Sequence, residues 1–445
     1  MDKLPDTKDI QVAVLMGGLA TRLGSLSADC PKALMDINGR PFFDYELKLL
    51  KNAGFRKFVL LVGRFSEMVE EYYGDGSRFG VEITYSYDGS EPVGTGGAVC
   101  RALDKLGDDF MLIYGDSFMD IDYHETVYRY FDGKKSGKKA LMTVYYNNDK
   151  FDKSNVIYKD GNIVLYDKKN ISAEMNYIDY GIEMFDKDCF NGYREKGAFD
   201  IAELLTELSK EGSLSAHEVT TRFYEIGSPA SLTEFKGYAQ KRFDQKNRAV
   251  FLDRDGVINR LVFNEDTELL DSPLGPDEVE FIDGVFDAVR RLKEKGYFVF
   301  MVTNQPAAAK GKTTLKKLYD VNTYVCRTFM ENGADIDKAE LCPHHPKGNS
   351  RTKEPFLIKE CDCRKPGNGM IEEICRVYSI DRENSYMAGD SYTDIAAGKK
   401  SGLKTAFIGN YKCDLCKYLE YDKPDLIAGS LPEAAEKIMA EYYTG

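Results

Sequence analysis

Apolar residues along this chain fall into strand-sized runs separated by helical stripes. Gln11–Met16 carries "VAVLM" and runs into a glycine pair; further strand-like runs begin near Lys57, Val81 and Phe110. The second half repeats the pattern at Ala249–Leu252, Phe298–Val302 and Tyr386–Ala388. Short apolar runs rich in β-branched and aromatic residues, bounded by turn formers, predict buried strands. Phe42, Tyr45, Leu49 and Leu50 form one helical stripe, predicting a helix over Pro41–Asn52 with proline in its first turn. Val285, Ala288, Val289 and Leu292 form another, between the first two strands of the second half. A right-handed βαβ unit is expected there. The alternation predicts two three-layer α/β domains, each with a mostly parallel sheet covered on both faces. The charged stretch "KRFDQKNR", Lys241–Arg248, separates them, giving expected domains at 1–244 and 245–445.

Length supports the division, since 445 residues are too many for one core. No apolar run reaches the length of a membrane-spanning helix. The start, "MDKLPDTKDI", has no signal-peptide core, and ten cysteines without such a signal point to a reducing cytoplasm. Cys413 and Cys416 form a lone C-x-x-C, read as two spare thiols. A net charge of −13 argues against a nucleic-acid partner, which needs a basic face.

The strand Ala249–Leu252 delivers Asp253 and Asp255 to its C-terminal end, with Gly256 at the turn. In an open α/β sheet that edge is where ligands bind. One carboxylate can attack phosphorus while the other handles the leaving group's proton, with a divalent cation offsetting their repulsion. Phe298–Val302 leads to Thr303 and Asn304, polar groups suited to phosphate oxygens. "CDCRKP" supplies Arg364 and Lys365, and "GDSYTD" places Asp390 and Asp394 after a third strand. Together these outline a magnesium phosphatase working through an aspartyl-phosphate.

The ordered motifs "DRDGVIN", "TNQ", "CPHHP", "CDCRKP" and "GDSYTD", over Arg248–Gly409, resemble the haloacid dehalogenase superfamily, and within it the heptose 1,7-bisphosphate phosphatase branch. The resemblance implies Asp253 as nucleophile and Asp255 as general acid and then base. It implies Mg²⁺ on Asp253, the Asp255 carbonyl and Asp390. Thr303 and Lys365 would bind the phosphoryl group, and Asp394 would orient Lys365 or water. After "TNQ" the chain reads "PAAAKG", where relatives carry a Ser-Gly turn. Cys342 and His344 with Cys361 and Cys363 make C-x-H and C-x-C pairs, a donor set suited to closed, tetrahedral structural Zn²⁺. His345 is the competing imidazole. The zinc loop would also position Arg364 and Lys365.

In the first half, the strand Gln11–Met16 runs into Gly17 and Gly18, whose backbone N–H groups can approach a phosphate or a base edge; Arg22 and Lys32 add two cations. With "EPVGTGGAV", "YGDSF", "YIDYGIEMF" and "FYEIGSPASL" following in order, Ile10–Lys236 resembles the nucleoside-triphosphate:sugar-1-phosphate nucleotidyltransferases. The phrasing is nearest to the heptose 1-phosphate and mannose 1-phosphate guanylyltransferases. The resemblance implies a Rossmann-like sheet with Arg22 on the β- and γ-phosphates and Lys32 near the reacting centre. Asp116 and Glu225 would hold Mg²⁺, although aspartate is the commoner residue at the second position. Lys168, or Lys169, would hold the sugar phosphate. Asp179 and Gly181 would contact a sugar hydroxyl, unless Asp179 merely forms a turn. Gly94, Thr95 and Gly96 would form the base-recognition turn.

The two halves suggest consecutive reactions. A heptose bisphosphate phosphatase leaves the 1-phosphate that such a transferase consumes, so the expected partners are sugar phosphates and a nucleoside triphosphate, with GTP favoured. The same chemistries on another phosphate, such as a polyol phosphate activated with CTP, form the nearest alternative. A scaffolding protein with one inactive domain is a third reading, which the full set of acidic and basic motif residues opposes.

Overall fold

The computed structural model of the chain describes residues 6–17, 30–89, 91–159, 161–265, 268–349, 351–409 and 423–441. Gly18, Arg22, Cys413 and Cys416 lie outside the described residues. The chain divides into two compact units, Leu4–Ala239 and Gln240–Gly445. The turn Gln240–Asp244 goes with the second unit: the fully buried Arg242 places its guanidinium 4.0 Å from the Tyr378 ring centroid.

The first unit is built on strands β1 (Gln11–Leu15), β2 (Lys57–Val62), β3 (Glu82–Tyr87), β4 (Asp109–Tyr114), β5 (Ala140–Tyr146), β6 (Val156–Lys159), β7 (Asn162–Tyr166), β8 (Tyr177–Asp186) and β9 (Leu214–Val219). They form one sheet in the order β3-β2-β1-β4-β8-β5-β9-β7-β6. β1 to β4 are mutually parallel, and β8 turns antiparallel against β4 and β5. Side chains alternate across a strand, so both faces can be read from burial. Ala13, Val59, Leu61 and Leu112 pack in one core with the helices Gly94–Ala102 and Ile201–Lys210. Val12, Val14, Phe58, Leu60, Met111 and Ile113 point the other way and are also buried. Helices therefore cover both faces, as the apolar runs without polar alternation require. The helix on Pro41 starts one residue late, at Phe42, with Pro41 as its cap in extended conformation.

A buried polar knot braces this unit. Glu125, on the helix Tyr123–Lys135, takes Arg129 Nε at 2.6 Å and faces His217 Nε2 at 3.3 Å. Burial opposes its charge, yet Arg129 and His217 outweigh burial and hold the carboxyl down at about 2.

The second unit carries six parallel strands: β10 (Ala249–Leu252), β11 (Phe298–Asn304), β12 (Lys338–Cys342), β13 (Tyr386–Gly389), β14 (Lys404–Ile408) and β15 (Leu426–Ala428). Their order is β12-β11-β10-β13-β14-β15. The predicted stripe Val285, Ala288, Val289 and Leu292 is buried on the helix Val285–Glu294 against Val250, Leu252, Val299 and Met301. The opposite face buries Phe251, Phe300 and Met387, with Tyr378 edge-on to Phe300 at 4.8 Å. β10 sits between β11 and β13, so Asp253, Thr303 and Asp390 leave neighbouring strand ends. Among the described residues no helix is long and apolar enough to cross a membrane.

Candidate active sites

At the ends of β10, β11 and β13, Lys365 is the hub. It is 2 % exposed, and its Nζ lies 2.8 Å from Asp253 Oδ1, 2.6 Å from Asp394 Oδ1 and 2.7 Å from the Val302 carbonyl. Asn304 clamps the lysine's backbone: its Nδ2 donates to the Lys365 carbonyl at 2.9 Å, and its Oδ1 accepts from Lys365 N at 3.0 Å. Both ends of that amide are thus engaged in placing the lysine. Asp394 caps the helix Tyr392–Lys400 through Oδ2, which accepts from Ser391 N and Oγ, and turns Oδ1 to Lys365.

Asp253, Asp390 and Asp394 bring carboxylate oxygens within 4.8 Å of one another. Because Asp394 is engaged by Lys365 and Ser391, Asp253 and Asp390 are the oxygens open to a hard cation. Gly256 makes room for this cluster: its φ is +81°, and a side chain there would strike the Asp390 carboxylate. Charge counting points the same way. Asp253, Asp255, Asp390 and Asp394 face Lys365 and Arg254, an excess of two negative charges that one divalent ion neutralises. Burial, then Asp253 and Asp394, push Asp390 up to about 8. Burial, only partly offset by Lys365, also raises Asp253.

Asp255 behaves in the opposite way. Burial alone would raise it, but the fully buried Arg254 forks its two oxygens at 3.0 and 3.2 Å, and Gln305 Nε2 (2.6 Å) and Asn259 Nδ2 (3.0 Å) add hydrogen bonds, so its pKa is lowered. Gln305 Nε2 also donates to Thr303 Oγ1 at 2.8 Å, which leaves the threonine's own proton to offer a phosphate. Arg254 and Gln305 stand inside the motifs without a role assigned from sequence; Arg254 grips the neighbouring Asp255, and Gln305 reaches it across from the end of β11.

Cys342, His344, Cys361 and Cys363 converge at the end of β12. Their sulfur–sulfur separations run from 3.1 to 3.6 Å, and His344 Nδ1 is 3.2 Å from Cys363 and 3.8 Å from Cys342. These are too long for disulfides and near the edges of a tetrahedron with metal–sulfur bonds of ~2.3 Å. Burial, then Lys359, lowers His344 to about 4, which keeps the imidazole neutral and able to bind metal. His345 turns instead to Lys347 of its own loop. Two links join the cluster to the phosphate site: Gln305 N donates to the Cys342 carbonyl at 2.8 Å, and Arg364 Nη1 reaches the His344 carbonyl at 3.4 Å.

In the first unit two adjoining clefts, of about 740 and 280 Å³, share Tyr114 and Asp116. Lys32 Nζ meets Asp116 Oδ2 at 2.7 Å. Glu225 pairs across a two-residue ladder with Ser117, beside Asp116, and both acids line the larger cleft. Lys168, Asp179 and Gly181 line it too. Asp179 also makes a local turn, its Oδ1 accepting from Gly181 N at 3.0 Å, while Tyr166 donates to Oδ2 at 3.3 Å. Arg222 was not anticipated: it forks Glu234 at 2.6 and 2.8 Å at the wall of the same cleft. Gly17, Gly94 and Thr95 line the smaller cleft. Gly96 does not; its N–H donates to the Phe199 carbonyl, so close packing on Phe199 accounts for it. Thr95 Oγ1 is likewise engaged by Asp200 and Ile201 N.

Comparison with known proteins fits this geometry. The nucleotidyl transferase family matches residues 11–241, and a HAD-hydrolase-like family matches 362–434. The chain is 30% identical over 227 residues to the D-glycero-alpha-D-manno-heptose 1-phosphate guanylyltransferase of Campylobacter jejuni, covering 51% of this chain and 98% of that protein. It is 37% identical over 158 residues to the D-glycero-beta-D-manno-heptose-1,7-bisphosphate 7-phosphatase of Haemophilus influenzae, covering 36% of this chain and 79% of that protein. Among solved structures, a D,D-heptose 1.7-bisphosphate phosphatase from B. bronchiseptica, in complex with magnesium and phosphate, aligns with TM-score 0.36 and 26% identity, covering 44% of this chain and 99% of that one. The chain belongs to the nucleotidyl transferase family and, through its second half, to the HAD-like hydrolases. It is a bifunctional enzyme, a nucleotidyltransferase joined to a phosphatase.

Proposed function

We propose that the chain removes the C7 phosphate of D-glycero-α-D-manno-heptose 1,7-bisphosphate and then joins the heptose 1-phosphate to GTP, giving GDP-heptose and pyrophosphate. One observation carries this reading: relatives named for both reactions match one chain, and the first product is the second substrate. The names differ in anomer, beta for the phosphatase and alpha for the transferase. Reactions in series need one anomer, and the transferase relative, covered over 98% of its length, supports α.

In the phosphatase, Asp253 attacks phosphorus and becomes the aspartyl-phosphate while the C7 oxygen departs. Asp255, on leaving the fork that lowers its pKa, takes up a proton from solvent and gives it to that oxygen; it then takes a proton from the hydrolytic water, whose oxygen attacks the aspartyl-phosphate to release phosphate and free Asp253. Thr303 and Lys365 hold the phosphoryl oxygens, Asn304 and Asp394 hold Lys365, and Arg364 adds positive charge at the rim. Mg²⁺ fits Asp253, Asp390 and the Asp255 carbonyl, where it would offset the charge of the reacting groups. Cys342, His344, Cys361 and Cys363 would hold Zn²⁺, which would fix the loop that carries Arg364 and Lys365.

In the transferase, Lys32 and Arg22 neutralise the triphosphate, and Lys168 brings in the sugar phosphate for in-line attack on the α-phosphorus. Asp116 and Glu225 suit a second Mg²⁺ site. Asp179 and Gly181 face the sugar hydroxyls; Gly17, Gly94 and Thr95 line the nucleotide cleft. Small molecules are the partners, not nucleic acid, in a cytoplasm that keeps the eight cysteines of the described residues out of disulfides. Asp253→Asn should abolish phosphate release and leave transfer from supplied heptose 1-phosphate intact; Asp116→Ala should do the reverse. Loss of both activities in either variant contradicts two independent sites.

A further inference from the structure

Behind the larger cleft lies a buried acid that the transfer chemistry leaves unused. Glu183 stands on β8 opposite Leu112 of β4 and Met142 of β5, on the face where Leu112, Met142 and Phe185 pack in the core. It is fully buried, and neither of its carboxyl oxygens receives a hydrogen bond among the described residues. A carboxylate so placed is strongly disfavoured as an ion and keeps its proton. Asp179, on the cleft wall, stands four residues earlier on the same strand. In a regular strand that is roughly 13 Å, too far for the two side chains to meet. β8 is not regular there: Asp179 pairs with Val144 and Glu183 with Met142, so β8 takes four steps against two on β5. Gly181 turns this bulge at φ +96°, and Thr143 fills it, its hydroxyl donating to the Ile182 carbonyl at 2.8 Å and accepting from Ile182 N at 3.2 Å. Bulges beside a binding cleft re-aim side chains, and this one brings the two acids within hydrogen-bond reach. Lys168 faces Glu183 from beyond β7, and Tyr114 and Tyr166 face it from the ends of β4 and β7. Burial, then Asp179, outweighs Lys168 and holds Glu183 well above the ordinary carboxylate range.

We propose that Glu183 is a positioning residue of the transferase, its uncharged carboxyl donating to Asp179 and holding that carboxylate towards the hydroxyls of the incoming sugar. This rests on the reading of Asp179 as the sugar-hydroxyl contact. Gly181 N and the Tyr166 hydroxyl already donate to Asp179, and Glu183 adds a third donor from behind. A carboxylate has about four acceptor sites, so about one is left for a hydroxyl from the cleft. An uncharged Glu183 also leaves Lys168 to the sugar phosphate, where a charged one would compete for it.

The test is steady-state transfer from D-glycero-α-D-manno-heptose 1-phosphate and GTP by the full-length, magnesium-loaded chain and its Glu183→Leu, Glu183→Gln and Asp179→Ala variants. Infrared difference spectra of wild type against Glu183→Gln at neutral pH accompany it. Glu183→Leu fills the same space without a donor and should raise KM for heptose 1-phosphate about 10-fold, leaving kcat and KM for GTP within about 2-fold. Glu183→Gln keeps an N–H donor and should recover most of that loss. Wild type should show a carboxylic-acid carbonyl band that moves in heavy water and is missing from Glu183→Gln. Absence of that band overturns the proposal without reference to any substrate. So does an unchanged KM for heptose 1-phosphate in Glu183→Leu, or an equal rise in both KM values, the mark of a merely structural residue. A Glu183→Gln no better than Glu183→Leu overturns it as well. If Asp179→Ala leaves KM for heptose 1-phosphate unchanged while the band is present, the sugar-contact reading of Asp179 is what fails, and the positioning role falls with it.

Discussion

Replacing Asp390 with asparagine should stabilise the metal-free enzyme while destroying its phosphatase activity. Burial and two neighbouring carboxylates hold Asp390 at about 8, roughly four units above an ordinary aspartate. A carboxyl whose folded pKa is raised binds its proton more tightly in the native state. Stability therefore falls as pH rises from the unfolded value near 4 to the folded value near 8, and the loss is complete above it. At ~1.4 kcal/mol per pH unit between 4 and 8 the upper end is ~6 kcal/mol, and relaxation of the half-open site brings the expected gain for Asp390→Asn at pH 8 to about 2–5 kcal/mol. At pH 5 the wild-type group already carries its proton, so the gain should shrink towards zero. Urea unfolding of both full-length proteins in magnesium-free buffer, followed by far-UV circular dichroism, reads the difference. A neutral or destabilising effect at pH 8, or a gain that persists unchanged at pH 5, would refute the charge-repulsion argument. Added magnesium should reverse the order, stabilising wild type and not the variant.

Three further outcomes follow from other parts of the molecule. Cys361→Ser should drop bound zinc well below one ion per chain by elemental analysis and abolish phosphate release, with nucleotidyl transfer retained. Asn304→Ala removes both hydrogen bonds on the Lys365 backbone and should lower phosphatase kcat by about 10- to 100-fold with little change in KM, because the lysine loses its aim and not its charge. Glu125→Gln should lower the stability of the first unit by ~3 kcal/mol at pH 7, since its folded pKa of about 2 lies below the unfolded value. That stability is present above pH 4.5 and disappears as pH falls towards 2, so the two proteins should unfold alike under strongly acid conditions.

Much of the site was legible because its residues follow predicted strands directly. Asp253, Thr303 and Asp390 each end a run whose apolar pattern marks a strand, and adjacency of β10, β11 and β13 brings them together. The Cys/His spacing likewise foretold a four-donor cluster. Other features arise only from register. Nothing local shows that Arg254 turns inward to fork Asp255, or that Gln305 bridges it to Thr303. Asn304 suited a phosphate as well as a backbone, and only the cross-strand approach of Lys365 shows how its amide is engaged. Gly96 is small because Phe199, far along the chain, packs against it, a constraint no motif reveals.

If the two reactions run in series on one chain, a single incubation shows both. The full-length enzyme, with magnesium and GTP, is given heptose 1,7-bisphosphate of each anomer, and products are followed by mass. GDP-heptose, inorganic phosphate and pyrophosphate should form from the α-anomer. Phosphate release from that anomer with no nucleotide sugar, under conditions where the transferase turns over, would contradict it.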